Sequence, residues 1–297
     1  MNEFPEYACD YAKKLAGTSA RFALQVFARG EENGQESGKY GADPFGEMLG
    51  RPGLPYGLKQ RFPDRVLVMT SSRCFMNCRH CTRRGILGEA QVVTTDAQLA
   101  ACVEFARKHP LVRDVLLSGG DILTLPDERV MWFVEAFASL DQIDIVRVCT
   151  RAPCANPSRI TDALAKRLGA SRKVWVNTQF NCADELTSEA KDALRKLVEA
   201  GMPVGCQTVL LKGVNDTAEE MLRLFKALTA SRVRPYYVFM CDPVAGIERF
   251  RVDLETAKAI ERQCAESIGG LSMPRFVADI PGSRRKVPIS ELHQVEA

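Results

Sequence analysis

The chain lacks a long apolar run. No stretch of its 297 residues approaches 18 apolar positions, so no membrane-spanning helix is expected. It also lacks charge of one sign. The formal net charge is +3, which removes the electrostatic case for a nucleic-acid or anionic-membrane partner. It has no disulfide framework: its 11 cysteines are odd in number and irregularly spaced, as in a reducing compartment. The first residues, Met1-Asn2-Glu3-Phe4-Pro5-Glu6, carry neither a basic region nor an apolar core, so a cytoplasmic protein without a secretory leader is expected. Finally, there is no second Cys-x-x-Cys and no His-x-x-x-His, the pairs that complete most structural zinc sites. What remains is ample apolar content, 46%, for a large core.

One stretch concentrates chemistry. In Cys74-Phe75-Met76-Asn77-Cys78-Arg79-His80-Cys81, three cysteines are separated by four and then three positions. Those spacings can bring three thiolates around one point, and soft sulfur ligands suit an iron–sulfur cluster. A cubane has four irons, so three cysteines leave one iron open to an exogenous ligand, much as a catalytic zinc keeps an open position. The bland readings are a zinc knuckle that takes His80 as its fourth ligand, or three free thiols.

Residues 1–29 read as one or two helices, and 30–58 as a Gly/Pro-rich linker; together they form an N-terminal arm ahead of a domain at 59–297. From Arg65 onward, short β-branched runs alternate with amphipathic stretches. Strands are expected at 66–70, 114–118, 143–150, 174–180, 203–211 and 234–240. Helices are expected near 96–108, 127–139, 158–168, 185–200, 217–229 and 253–267. Repeated βα units imply an α/β fold with a parallel sheet. Six units are too few for a full eight-stranded barrel, so a partial (βα)6 TIM-like barrel is expected, with its chemistry at the C-terminal strand ends. Those ends carry the cysteine loop, Gly119-Gly120-Asp121, Thr150-Arg151, Asn177 with Gln179, and Asp242.

The cysteine spacing is the signature of radical S-adenosylmethionine (SAM) enzymes, and Cys78-Arg79-His80-Cys81-Thr82-Arg83-Arg84 resembles their lysine 2,3-aminomutase family. Similar segments follow in the family's order: Arg61-Phe62-Pro63-Asp64-Arg65, Leu116-Leu117-Ser118-Gly119-Gly120-Asp121, Leu210-Leu211-Lys212-Gly213-Val214-Asn215-Asp216 and Arg232-Val233-Arg234-Pro235-Tyr236-Tyr237. The likeness runs from about Asp43 to Ile289.

The resemblance implies a radical SAM barrel, a [4Fe–4S] cluster on Cys74, Cys78 and Cys81, and two organic cofactors, SAM and pyridoxal phosphate (PLP). It implies migration of an amino group from Cα to Cβ of a small-molecule amino acid substrate. An electron donor such as flavodoxin or ferredoxin would supply the activating electron. By the same resemblance, Gly119, Gly120, Asp121 and Arg151 border SAM, Arg61 and Arg65 grip the PLP phosphate, and Lys286 tethers PLP. Arg83 would take the substrate carboxylate, while Asp242 and Asp279 would take a distal ammonium, which favours L-lysine or another cationic amino acid.

The sequence departs from the pattern at Gln179 and Cys206, where a histidine and an asparagine are expected, and at Ser283-Arg284-Arg285, where glycines are. These departures keep other outcomes open: deamination, epimerisation or dehydrogenation on the same scaffold, or the branch that modifies a translation factor with β-lysine. A non-catalytic iron–sulfur protein is the remote reading, and a homo-oligomer stays open.

Overall fold

The computed structural model describes residues 4–28, 40–47, 52–87 and 92–293. Two short helices come first, α1 (Asp10–Thr18) and α2 (Ala20–Val26). Ser19 serves both. Its N–H closes α1 on the Leu15 carbonyl, and its hydroxyl caps α2 by accepting from Phe22 N at 3.2 Å. Ala12, Leu15, Phe22 and Val26 join the same hydrophobic core as the rest of the chain. The linker expected over 30–58 falls partly outside the described residues. Its described parts, 40–47 and 52–57, contain no helix or strand, and Leu58 already begins the sheet.

Among the described residues, nine strands form one sheet in chain order: β1 (Leu58–Phe62), β2 (Arg65–Ser71), β3 (Asp114–Gly119), β4 (Ile145–Thr150), β5 (Val174–Gln179), β6 (Val204–Leu210), β7 (Arg234–Met240), β8 (Arg275–Ala278) and β9 (Val287–Pro288). Strands β2 to β8 run parallel, while β1 and β9 pair antiparallel at the two edges, so the barrel is partial and open. The six expected strands are present within two residues of their expected bounds. The sheet extends beyond them by β1, β8 and β9. These are short or polar (Leu-Lys-Gln-Arg-Phe in β1) and give little periodic signal.

Helices α3 (Asp96–Lys108), α4 (Asp127–Ala138), α5 (Ala152–Ala155), α6 (Asp162–Ala170), α7 (Ser188–Glu199), α8 (Ala218–Ala230) and α9 (Leu254–Ser267) fill the crossovers. Five of them start alike. The side chains of Thr95, Thr161, Thr187, Thr217 and Asp253 each accept from a first-turn backbone N–H. Each such cap contributes about 1 kcal/mol.

Burial alternates along the strands. Val146 and Val148 of β4, and Cys206 and Thr208 of β6, are buried on the helix side. Their neighbours Arg147, Cys149, Gly205 and Gln207 face a central cavity of about 730 Å³. A complete barrel fills this space with branched apolar side chains. Here polar side chains enter the lining and partner one another: Arg147 Nε donates to Asp114 at 3.0 Å, and Asn177 donates to the Tyr236 hydroxyl (2.9 Å), which donates to Gln207 (3.1 Å).

The C-terminal ends of β2 and β3 are joined backbone to backbone. Gly120 N donates to the Ser71 carbonyl at 2.6 Å, and Asp121 N to the Arg73 carbonyl at 2.7 Å. Only glycine allows this approach. Gly119 has φ +117°, and a Cβ on Gly120 would stand 2.2 Å from the Arg73 carbonyl oxygen. Gly120→Ala therefore forces the start of the cysteine loop away from β3. A loss of about 3 kcal/mol in denaturant unfolding is expected, and a variant as stable as the parent would contradict this account.

Candidate active site

The cysteine loop leaves β2 and is held mainly by the N-terminal arm. Cys9 N donates to the Phe75 carbonyl (2.8 Å), Asn77 N to Tyr7 (2.7 Å), and Arg79 N to Gln25 (2.8 Å). The Arg79 side chain is 1% exposed and reaches the Phe4 carbonyl at 3.1 Å. Cys74, Cys78 and Cys81 all face the cavity with free thiols. Burial pushes the thiol of Cys74 well up and that of Cys81 up to about 11. Both therefore favour the protonated form until a cationic group draws the protons off.

Among the described residues, no three His, Cys, Asp or Glu side chains surround one point closely enough to hold a single metal ion. The donor set is soft, thiol-only and spread along a roomy wall, which fits a multi-iron group better than a zinc ion. His80 does not complete it. Its Nε2 meets the amides of Gln179 (3.2 Å) and Asn181 (3.3 Å), and burial holds the ring neutral. Gln179, a departure noted in the sequence, thus acts on the motif's own histidine.

Asp121 ties strand ends together. Its carboxylate accepts from Leu123 N (2.9 Å), the Thr150 hydroxyl (2.7 Å) and Arg151 N (2.7 Å). Arg151, half-buried, donates through Nη1 to Cys78 Sγ at 3.0 Å and through Nη2 to Glu185 at 3.0 Å. Glu185 is fully buried and also accepts from Gln25 (2.7 Å) and from the backbone of Asn181 and Cys182 (both 3.1 Å). Sequence reasoning missed Glu185, whose local signal is that of an acid in the first turn of a short helix.

Toward the other wall, Asp279 pairs with Lys286 and accepts from Arg61 Nη2 at 3.2 Å. The Lys286 ammonium lies 4.9 Å from the Phe239 ring centre and 5.8 Å from that of Phe62. Arg65 stacks on Phe62 at 4.1 Å and contacts Asp64 at 3.4 Å. Asp242 lies beside Asp279 and accepts no side-chain hydrogen bond among the described residues. Burial first, then the Asp279 charge, raises its carboxyl to about 7. Arg83 donates through Nε to Glu47 at 2.8 Å. Of the remodelled loop, Arg285 turns outward to Glu291 and only Lys286 reaches the cavity. Cys206 lies in the hydrophobic core, away from the cavity.

All thirteen residues singled out in the sequence thus line one cavity: Arg61, Arg65, Cys74, Cys78, Cys81, Arg83, Gly119, Gly120, Asp121, Arg151, Asp242, Asp279 and Lys286. The Radical SAM superfamily pattern matches residues 68–225. An L-lysine 2,3-aminomutase of Acetoanaerobium sticklandii is 40% identical over 233 residues, covering 78% of this chain and 56% of that protein. A putative L-lysine 2,3-aminomutase of Treponema pallidum is 36% identical, covering 84% of this chain and 70% of its own length.

The chain belongs to the radical SAM lysine 2,3-aminomutase family. The family's cofactors are a [4Fe–4S] cluster, SAM and PLP. The chain spans little more than half the length of the Acetoanaerobium relative it matches. In fold it resembles a radical SAM methyltransferase from Sphaerobacter thermophilus, with a TM-score of 0.54 at 20% identity over 74% of this chain and 68% of the other.

Glu185 is the sole carboxylate that the Arg151 guanidinium contacts among the described residues. Glu185→Ala leaves that cation with only neutral acceptors, Gln25, Cys78 and Cys154, and a loss of about 3 kcal/mol in unfolding free energy is expected. Glu185→Gln, which keeps an acceptor, should cost clearly less; equal losses would argue against the charge pairing.

Proposed function

We propose that this chain is a radical SAM, PLP-dependent amino acid 2,3-aminomutase acting on L-lysine or another cationic amino acid. The observation that carries the reading is the single cavity, with three thiols on one wall and Lys286, Arg61, Asp242 and Asp279 on another. No helix among the described residues is long and apolar enough to cross a membrane, and a cavity of about 730 Å³ carrying charged side chains suits a small-molecule substrate.

When bound, the three cofactors supply the reductive radical initiation and the transfer of the amino group from Cα to Cβ. Cys74, Cys78 and Cys81 would hold the cluster. Gly119, Gly120, Asp121 and Arg151 would border SAM. Arg61 and Arg65 would meet the PLP phosphate, a task for which guanidinium forks are suited.

Lys286 would tether PLP. Burial moves its ammonium below the ordinary range while Asp279 pulls it back, which leaves the amine accessible as a nucleophile. Once Lys286 is so engaged, Asp279 loses one of its two cationic partners and, with Asp242, can receive a substrate ammonium. Arg83 would take the α-carboxylate. The reductive step calls for a one-electron donor such as flavodoxin or ferredoxin.

The test is anaerobic incubation of the reduced holoprotein with SAM, PLP and a panel of amino acids, followed by mass and NMR analysis of products. A β-amino isomer of lysine is expected. A β-amino product from glutamate and none from lysine would overturn the use made of the two aspartates. A keto or D-amino product would point to the other outcomes on this scaffold. Lys286→Ala should remove the visible absorption of bound PLP.

Asp242 adds a pH signature. Its carboxylate must be charged to hold an ammonium, and it becomes protonated below about pH 7. The dissociation constant for a cationic substrate should therefore rise by up to about tenfold per pH unit below 7. That for a neutral analogue of equal length should not, and Asp242→Asn should flatten the profile.

A further inference from the structure

Arg83 is the one cation of the proposed substrate site whose anionic partner comes from the segment before the sheet. Glu47 lies in a turn closed by Asp43, whose carboxylate accepts from Glu47 N at 2.9 Å and whose carbonyl accepts from Gly46 N at 3.2 Å. The same turn places the Phe45 ring 4.7 Å from the Arg61 guanidinium carbon. One five-residue turn thus touches two arginines that line the cavity.

The contact with Arg83 is one-sided. Glu47 Oε2 accepts from Nε at 2.8 Å, and the Ser118 hydroxyl stands 3.5 Å from Nη1. Nη2 has no hydrogen-bond partner among the described residues. A guanidinium offers two edges to carboxylates: the side edge at Nε and the end formed by the two Nη groups. A residue that plugged the site would occupy the end. Glu47 occupies the side through a single oxygen and leaves the end toward the cavity. Both side chains are largely buried, at 24% and 20% exposed, so the pair is poorly screened by water. Glu47 is also charged: burial alone would raise its carboxyl, but Arg83, Arg61 and Lys286 outweigh it and hold it below the ordinary range.

We infer that Glu47 is a positioning residue for substrate selection, fixing Arg83 from the side so that its end-on fork meets the α-carboxylate of the amino acid. The inference rests on the proposed placement of that carboxylate on Arg83. Glu47 does not touch the substrate. Without it, Arg83 keeps one weak tether at Ser118 and must be ordered anew by each substrate molecule, which weakens binding. Its effect therefore falls on ligands that carry a carboxylate and spares those that do not.

The test uses the holoprotein with PLP. Dissociation constants for lysine and for lysinamide, which lacks the carboxylate, are read from the change in PLP absorption on titration. Glu47→Ala should weaken lysine about tenfold, leave lysinamide within about twofold, and change saturated turnover little. Glu47→Gln, which keeps an acceptor for Nε, should recover most of the loss, and Glu47→Ala should add nothing in an Arg83→Ala background.

Tighter lysine binding in Glu47→Ala would mean that Glu47 competes with the substrate, and would overturn the inference. Equal weakening of both ligands would mean a general structural role, and would also overturn it. If Arg83→Ala weakens lysine selectively while Glu47→Ala has no effect, this inference alone fails. If Arg83→Ala leaves both ligands unchanged, the carboxylate is not on Arg83 and both readings fail.

Discussion

The carboxylate of Glu185 is the point on which the site's geometry depends. It is removed from water and receives donors from Gln25 in the arm, from Arg151 and Cys154 after β4, and from the backbone of Asn181 and Cys182 after β5. Through Arg151 it reaches Cys78. A buried charge tolerates little displacement of its partners, because each one lost leaves an uncompensated group in a low-dielectric interior. The arm, two strand ends and the cysteine loop are therefore fixed relative to one another by a single side chain. Asp121 does the same on a smaller scale, joining the exits of β3 and β4 through Thr150 and Arg151.

The opposite wall is ordered by balance of charge. Arg61, Lys286 and Arg83 face Asp242, Asp279 and Glu47. Among the described residues, Asp279 bridges two cations, Glu47 holds one, and Asp242 holds none by hydrogen bond. That asymmetry gives the wall its chemical preference. A cation can be added beside Asp242 with little rearrangement, whereas an anion there would meet two carboxylates.

Much of this was legible in the sequence. The six long parallel strands announced themselves by β-branched runs, and the helices by periodicity. The cysteines, Gly119-Gly120-Asp121, Arg151 and Asp242 stand out at strand ends, whereas Arg61, Arg65, Arg83, Asp279 and Lys286 are singled out by resemblance alone; the fold brings all thirteen to one cavity. What escaped has a common physical cause. β8 and β9 are too short to show a period, and β1 is polar because one face lines the cavity. Glu47 and Glu185 look like ordinary acids, since their partners lie 36 and 34 positions away for the arginines and 160 for Gln25. The central cavity was not anticipated either. Strand alternation shows which residues share a face, but not whether that face meets a packed core or open space.

The arm's grip on the cysteine loop also bears on the order in which the protein is built. The loop's backbone partners are Tyr7, Cys9 and Gln25, but the side chain that locks Gln25 and Arg151 in place is residue 185. During synthesis the three cysteines stay without this frame until the segment carrying Glu185, 104 positions after Cys81, has followed. Contacts of such long range form late in folding, after the local βα units. The thiols thus pass through a period of exposure to oxidants and stray metal ions, and a nascent chain would be most vulnerable there. Delivery of an iron–sulfur group would best follow closure of the Glu185 node, when the loop first has a shape to receive it.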